Sequence, residues 1–239
     1  MATLLTGFSI LAAEAMAKAY QRIHALNFGV YGASKAGKTT LHRQLRTRGE
    51  VPVVKERTKG LHRASRKTVK IDKDSRTIKT ADVGGQSYYW DAWKKDMMKR
   101  KVKYIIFMID DRHLSEAYNL EHQLSWQFLV DTICDNFWRL GKGKTKKKKD
   151  KDFPIAVGIW ANKYDLWKDK YEHNGAIEKH PIFEPFRLGM QRLQDRGIPC
   201  FKYIVSAKSD PEMVYRGIMT MVKDWVVQSR VILLLVAAL

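Results

Sequence analysis

The sequence predicts a three-layer α/β fold with a mostly parallel sheet and one antiparallel edge hairpin, and three observations lead there. Residues 104–109 and 155–160 are continuous apolar runs of strand length, 201–205 adds a third, shorter one, and 26–31 reads as a buried strand. Such runs mark parallel strands covered on both faces, because an alternating pattern would leave one face wet. Stretches with helical periodicity lie between them, so strand and helix alternate along the chain rather than segregating. Residues 69–72 and 77–80 flank Lys73, Asp74 and Ser75, a turn-like spacer that predicts a β-hairpin.

Taken in order, Leu4, Leu5, Phe8, Leu11, Ala12, Ala15 and Ala19 recur at steps of three and four, which predicts an amphipathic helix over about 3–22, within a leading segment 1–23. The main domain is expected over 24–230, with helices over 41–48, 114–140, 185–196 and 211–228. Residues 141–152 carry seven lysines and no apolar side chain, so a mobile surface insertion is expected there. The tail 231–239 is wholly apolar, but nine residues fall short of the about 20 needed to span a bilayer. No internal repeat is present.

A chain of 239 residues is long enough for one domain with appendages, and 45% apolar with 29% charged residues excludes a disordered or collagen-like chain. Cys134 and Cys200 match no zinc or redox spacing, and the seven histidines are scattered. The cysteines are expected as small buried hydrophobes in a reducing compartment. The start lacks a basic signal-peptide region, so a cytoplasmic protein is expected, with peripheral membrane contact through the N-terminal helix. Net charge is +19, and residues 55–79, 94–103 and 141–152 together carry +17 of it. The remaining surface is nearly balanced, so the basic segments are expected to face a partner.

Gly32-x4-Gly37-Lys38-Thr39 matches the P-loop pattern, with a strand before it and a helix after it. The phosphate-binding candidates are therefore Gly32, Ala33, Ser34, Lys35, Ala36, Gly37, Lys38, Thr39 and Thr40. Backbone N–H groups of such a loop cradle phosphates, Lys38 would reach the β- and γ-phosphates, and the Thr39 hydroxyl would bind magnesium. The loop alone leaves ATP and GTP equally open. Asp82-Val83-Gly84-Gly85-Gln86 places an acid after a strand, where Asp82 can hold the magnesium shell. Gly84 and Gly85 give backbone room beside a γ-phosphate, and Gln86 stands where it can orient a water.

Asn162-Lys163-Tyr164-Asp165 follows one buried strand and Ser206-Ala207-Lys208 follows another, so both fall at strand C-terminal ends, where open α/β sheets bind ligands. The Asp165 carboxylate can accept from two donors on a guanine edge, which adenine does not offer. Asn162, Lys163, Asp165, Ser206, Ala207 and Lys208 are thus the guanine-binding candidates.

These four motifs in this order resemble the small GTPases, and the Gly37-Lys38-Thr39-Thr40 ending, the double glycine before Gln86 and Trp93 seven residues beyond it resemble the Arf family. The likeness covers about residues 1–228. It implies that 24–230 form a P-loop GTPase fold, that GTP, GDP and Mg2+ are the ligands, and that Gln86 is the catalytic residue of a slow GTP hydrolysis. Thr58-Lys59-Gly60 resembles the family's Thr-x-Gly, which would make Thr58 a magnesium-linked switch threonine beside Thr39 and Asp82. Arg57 is a candidate for an arginine supplied in cis. The family's aromatic effector positions correspond to Leu61, Ala81 and Asp96, so its effectors do not carry over. Ala2 replaces the glycine used for myristoylation, and no C-terminal cysteine is present for prenylation.

The resemblance implies a switch that recruits an effector in the GTP state, with exchange and activating proteins. Charge favours an effector with an acidic surface first, an anionic membrane second and nucleic acid third, because no aromatic-interleaved recognition motif accompanies the lysines. The contrasting reading is a basic binding module on nucleic acid or anionic membrane, with the nucleotide serving structure only.

Overall fold

The three apolar runs alternate in where they point, which fixes the layering. In a computed structural model, described over residues 26–47, 59–60, 65–71, 74–114, 119–141, 154, 156–171 and 176–222, Ile105, Phe107 and Ile109 enter one core cluster and Tyr104, Ile106 and Met108 the other. Val157, Ile159 and Ala161 follow the first set, and Ala156 and Trp160 the second. A strand with both faces apolar has to be covered on both sides.

Six strands lie in one sheet among the described residues, in the order β2, β3, β1, β4, β5, β6. They are β1 (Leu26–Gly32), β2 (Ser65–Ile71), β3 (Asp74–Thr80), β4 (Tyr104–Ile109), β5 (Ala156–Ala161) and β6 (Cys200–Ile204). β3, β1, β4, β5 and β6 run parallel, and β2 pairs antiparallel with β3 at the edge. The helices are α1 (Lys38–Thr47), α2 (Trp90–Arg100), α3 (Asn119–Gly141), the single turn α4 (Tyr164–Trp167), α5 (Arg187–Gln194) and α6 (211–222).

One face is covered by Trp93 and Met97 of α2, Trp126, Leu129 and Ile133 of α3, and Met190 and Leu193 of α5. The other is covered by Leu41 and Leu45 of α1 and Val214, Ile218 and Met221 of α6. A hydroxyl-to-carbonyl bond and a carboxylate cap help fix these positions: the Tyr215 hydroxyl donates to the Gln44 backbone carbonyl at 2.8 Å, and Asp210 accepts from the Met213 N–H at 2.9 Å with Pro211 opening the helix.

Some boundaries differ from expectation. The register pairs Ile71 with Asp74 and Lys70 with Ser75, so Asp74 and Ser75 belong to the strand ladder rather than to a turn. The expected helix over 114–140 begins at Asn119, after a tight helical turn at Asp111–Leu114. That over 185–196 divides into a tight turn, Pro181–Phe186, and α5, as two prolines within six residues remove the N–H groups a longer helix would need. The N-terminal segment 1–23, Arg57, Thr58, Leu61, the lysine run 142–152 and the tail 231–239 lie outside the described residues. No described helix is long and apolar enough to cross a membrane.

Candidate functional site

Parallel strands end together, and the motifs sit at those ends. β1 ends at Gly32 and feeds the loop 33–37, the phosphate-loop candidate, whose chain turns into α1 at Lys38. Gly37 has φ +98°, and a Cβ there would lie 2.1 Å from the Asn162 amide nitrogen, so only glycine fits. That contact has a purpose. Asn162 Nδ2 donates to the Ala36 carbonyl at 3.0 Å, and its Oδ1 accepts from the Ala207 N–H at 2.9 Å. One buried amide therefore joins the phosphate loop to Asn162-Lys163-Tyr164-Asp165 and Ser206-Ala207-Lys208. Ser206 Oγ accepts from the Asp165 N–H at 3.0 Å, while Trp167 Nε1 holds the Asn162 carbonyl at 2.7 Å. The Asp165 carboxylate and the Lys208 amine are left at the surface.

Lys38 is buried and donates to the Ala33 carbonyl at 2.6 Å. Burial pulls its pKa down to about 8, against the carboxylates of Asp82, Glu121 and Asp110, which favour the charged amine. Thr39 Oγ1 donates to Asp82 Oδ1 at 3.2 Å, so two oxygen donors meet one turn from that amine. A nucleotide-bound magnesium takes most of its ligands from phosphate and water, and this pair fits what remains: Thr39 directly, Asp82 through the hydration shell. Among the described residues no cluster of three histidine, cysteine or acidic side chains forms a protein-only metal cage.

The double glycine is held from below by tryptophans. Trp93 Nε1 donates to the Gly84 carbonyl at 2.8 Å and Trp90 Nε1 to the Gly85 carbonyl at 3.3 Å. A Cβ on Gly85 would lie 2.3 Å from the Lys38 amine and 2.7 Å from the Ala33 carbonyl, so any side chain there would fill the space beside the amine. The Gly84 N–H donates to the Gly60 carbonyl at 2.9 Å, which ties Gly60 to this turn. Gln86 lines a pocket of about 560 Å³ with Ser34, Lys35, Tyr88, Arg112 and Glu121. Its Oε1 is buried with no hydrogen-bond partner among the described residues.

Sequence reading missed the charged group at the end of β4. Asp110 is fully buried and meets Arg112 Nε at 2.9 Å, His122 Nε2 at 3.2 Å and the Lys163 amine. Burial alone would push its carboxyl up, but the hydrogen bond from His122 and the charges of Lys163 and Arg112 outweigh it and hold the group well below the usual carboxylate range. Arg112 also donates to the Ser34 carbonyl at 2.7 Å. The available signal was position: Asp110 is the first polar residue after an apolar parallel strand, on the ligand-binding side of the sheet.

Ala81 and Asp96 are buried. One expectation about surface is corrected. Arg100 does not belong to the basic surface, because it is buried against Asp96. That pairing leaves Lys94, Lys95, Lys99, Lys101 and Lys103 exposed, so the net charge of this stretch still faces solvent.

No protein-family model matches the chain, and no curated protein matches it.

Proposed function

We propose that the chain is an Arf-like, magnesium-dependent switch that binds GTP and GDP and hydrolyses GTP slowly. The observation that carries this reading is the Asn162 side chain, which bonds at once to the phosphate loop and to the loop bearing Ser206 and Ala207. Three segments far apart in sequence are thereby held as one surface at the strand ends, with Lys38 at one end and the exposed Asp165 at the other. On this reading the phosphates lie at Lys38 and the guanine at Asp165.

Bound magnesium would neutralise phosphate charge and polarise the γ-phosphoryl group. The chain's own residues do the rest. Lys38 pairs with the β- and γ-oxygens, the loop N–H groups hold the remaining phosphate oxygens, and Gln86 accepts from the attacking water and aligns it. The Gly84 N–H cannot serve both the Gly60 carbonyl and a γ-phosphate. Occupation by GTP would therefore release Gly60 and move the segment that carries Thr58. The exposed lysines of 94–103 favour an effector with an acidic surface that senses this change.

Calorimetric titration with GTP, GDP and ATP tests the assignment. Tight binding of both guanine nucleotides with ATP at least about a hundredfold weaker is expected, since a site built on a carboxylate partner rejects the base that cannot satisfy it. Asp165→Asn should weaken GTP and admit xanthine nucleotides, and Gln86→Leu should slow single-turnover hydrolysis. Equal affinity for ATP would refute guanine recognition. A wild-type rate in Gln86→Leu would refute the hydrolytic role, and equal effector binding with GDP and a non-hydrolysable GTP analogue would favour the binding-module reading.

A further inference from the structure

Ser34 is held on both sides of its peptide unit by side chains from the segment after β4. Its carbonyl accepts from Arg112, and its N–H donates to Glu121 Oε1 at 2.9 Å. Arg112 is itself anchored on Asp110 through both carboxylate oxygens. Glu121 lies in the first turn of α3 and has no such anchor among the hydrogen bonds of the site.

A carboxylate at this place is chemically odd. Phosphate loops gather N–H groups for anions, and here one N–H is already taken by a side chain with the same charge sign as the expected ligand. Glu121 also walls the pocket that holds Ser34, Lys35 and Gln86, which is the γ-phosphate end of the site if Gln86 aligns the attacking water. A diphosphate would stop short of that pocket, whereas a triphosphate would bring its terminal charge into it. Like charges several ångströms apart in a half-buried site, at an effective dielectric of about 20, repel by tenfold or more in affinity.

We propose that Glu121 discriminates between nucleoside diphosphate and triphosphate, by occupying the Ser34 N–H with a carboxylate that a γ-phosphate has to displace. The inference rests on the GTP-binding reading above. A diphosphate leaves the Glu121 to Ser34 bond in place and keeps the start of α3 locked on the phosphate loop. A triphosphate expels the carboxylate, and Arg112, still anchored on Asp110, stays behind as a cation beside the incoming charge. The nucleotide state is then communicated to α3 as well as to the Gly60 segment.

Glu121→Gln separates charge from hydrogen bonding, because the amide oxygen can still accept from the Ser34 N–H while the negative charge is gone. Calorimetry on the full chain with Mg2+ should show affinity for a non-hydrolysable GTP analogue rising about tenfold relative to GDP. Glu121→Ala should show at least the same gain in the ratio, since neither the charge nor the Ser34 contact then has to be displaced by the γ-phosphate, and it serves as the second arm if the glutamine variant does not fold. Glu121→Asp, which keeps the charge, should leave the preference nearer to wild type than either neutral variant. An unchanged ratio in the neutral variants, with both nucleotides still bound, would overturn this inference alone. Failure of the wild type to bind either guanine nucleotide would overturn the GTP reading and this inference with it.

Discussion

Asp96 lies beneath β1, where both its oxygens are taken by Arg100 and one also accepts from the Tyr31 hydroxyl at 2.7 Å. Arg100 then reaches the Phe28 carbonyl at 2.9 Å, so the charge pair closes on itself and on the backbone of the sheet. Asp110, which follows the neighbouring strand β4, is just as buried but meets Arg112, Lys163 and His122 together. One negative charge there faces two fixed positive ones, and both cations remain partly exposed and touch the loops that carry the nucleotide motifs. A balanced, enclosed pair can hold an element in place and do little more. A carboxylate that holds two partly exposed cations at the ends of parallel strands instead positions charge where a ligand can reach it.

Breaking the enclosed pair should have the largest effect on stability. Asp96→Ala leaves the Arg100 guanidinium buried without its carboxylate, and such a loss costs about 3–5 kcal/mol. Urea denaturation should register that loss, while the nucleotide affinity of the folded fraction stays within about threefold of wild type. A large loss of nucleotide affinity without a loss of stability would mean that Asp96 also serves the site.

Asp110→Asn should do the reverse. The amide keeps one acceptor oxygen, turns a donor toward the donors that the second carboxylate oxygen served, and no longer holds Arg112 and Lys163 by charge, so guanine nucleotide affinity should fall by about tenfold, with a stability loss of about 1–3 kcal/mol. Calorimetry and urea denaturation on the same preparation separate the two quantities. If Asp110→Asn and Asp96→Ala gave the same profile, the distinction between a structural and a site-building carboxylate would fail.

The contrast also explains what could be read in the sequence. The parallel strands were legible because their signal is local and continuous: Tyr104 to Ile109 contains no polar side chain that would place one face in water. That the 32–39 loop and the Asn162 and Ser206 segments fall at strand ends was legible because each is a few adjacent residues directly after a strand. The Asp110 group was not, since its partners Lys163 and His122 come from other elements and only the sheet brings them together. The bond between Ser34 and Glu121 spans 87 positions and leaves no periodic trace. Arg100 misled for the opposite reason: it sits in a run of exposed lysines, and only the turn of α2 that places Asp96 four residues earlier marks it as internal.

The smallest expected effect is a proton, and it sharpens the same contrast by asking whether a ligand completes the charge of the site. Burial lowers the Lys38 pKa from 10.5 to about 8, so between those values the unfolded chain holds a proton that the folded chain has released. Stability contributed by this group therefore rises with pH across that window and is at its least favourable below pH 8. Phosphate oxygens beside the amine would restore its charge, so GDP binding near pH 9 should take up a proton, approaching one per site. Using GDP at pH 9 keeps the phosphates fully ionised, so they contribute no protons of their own. Calorimetry in two buffers of different ionisation enthalpy measures the uptake directly. In Lys38→Arg the guanidinium stays charged throughout, so the uptake should fall to the smaller share that guanine N1 contributes, even where binding persists. Uptake of the same size in that variant, or none in the wild type, would show that Lys38 is not the group the phosphates recharge.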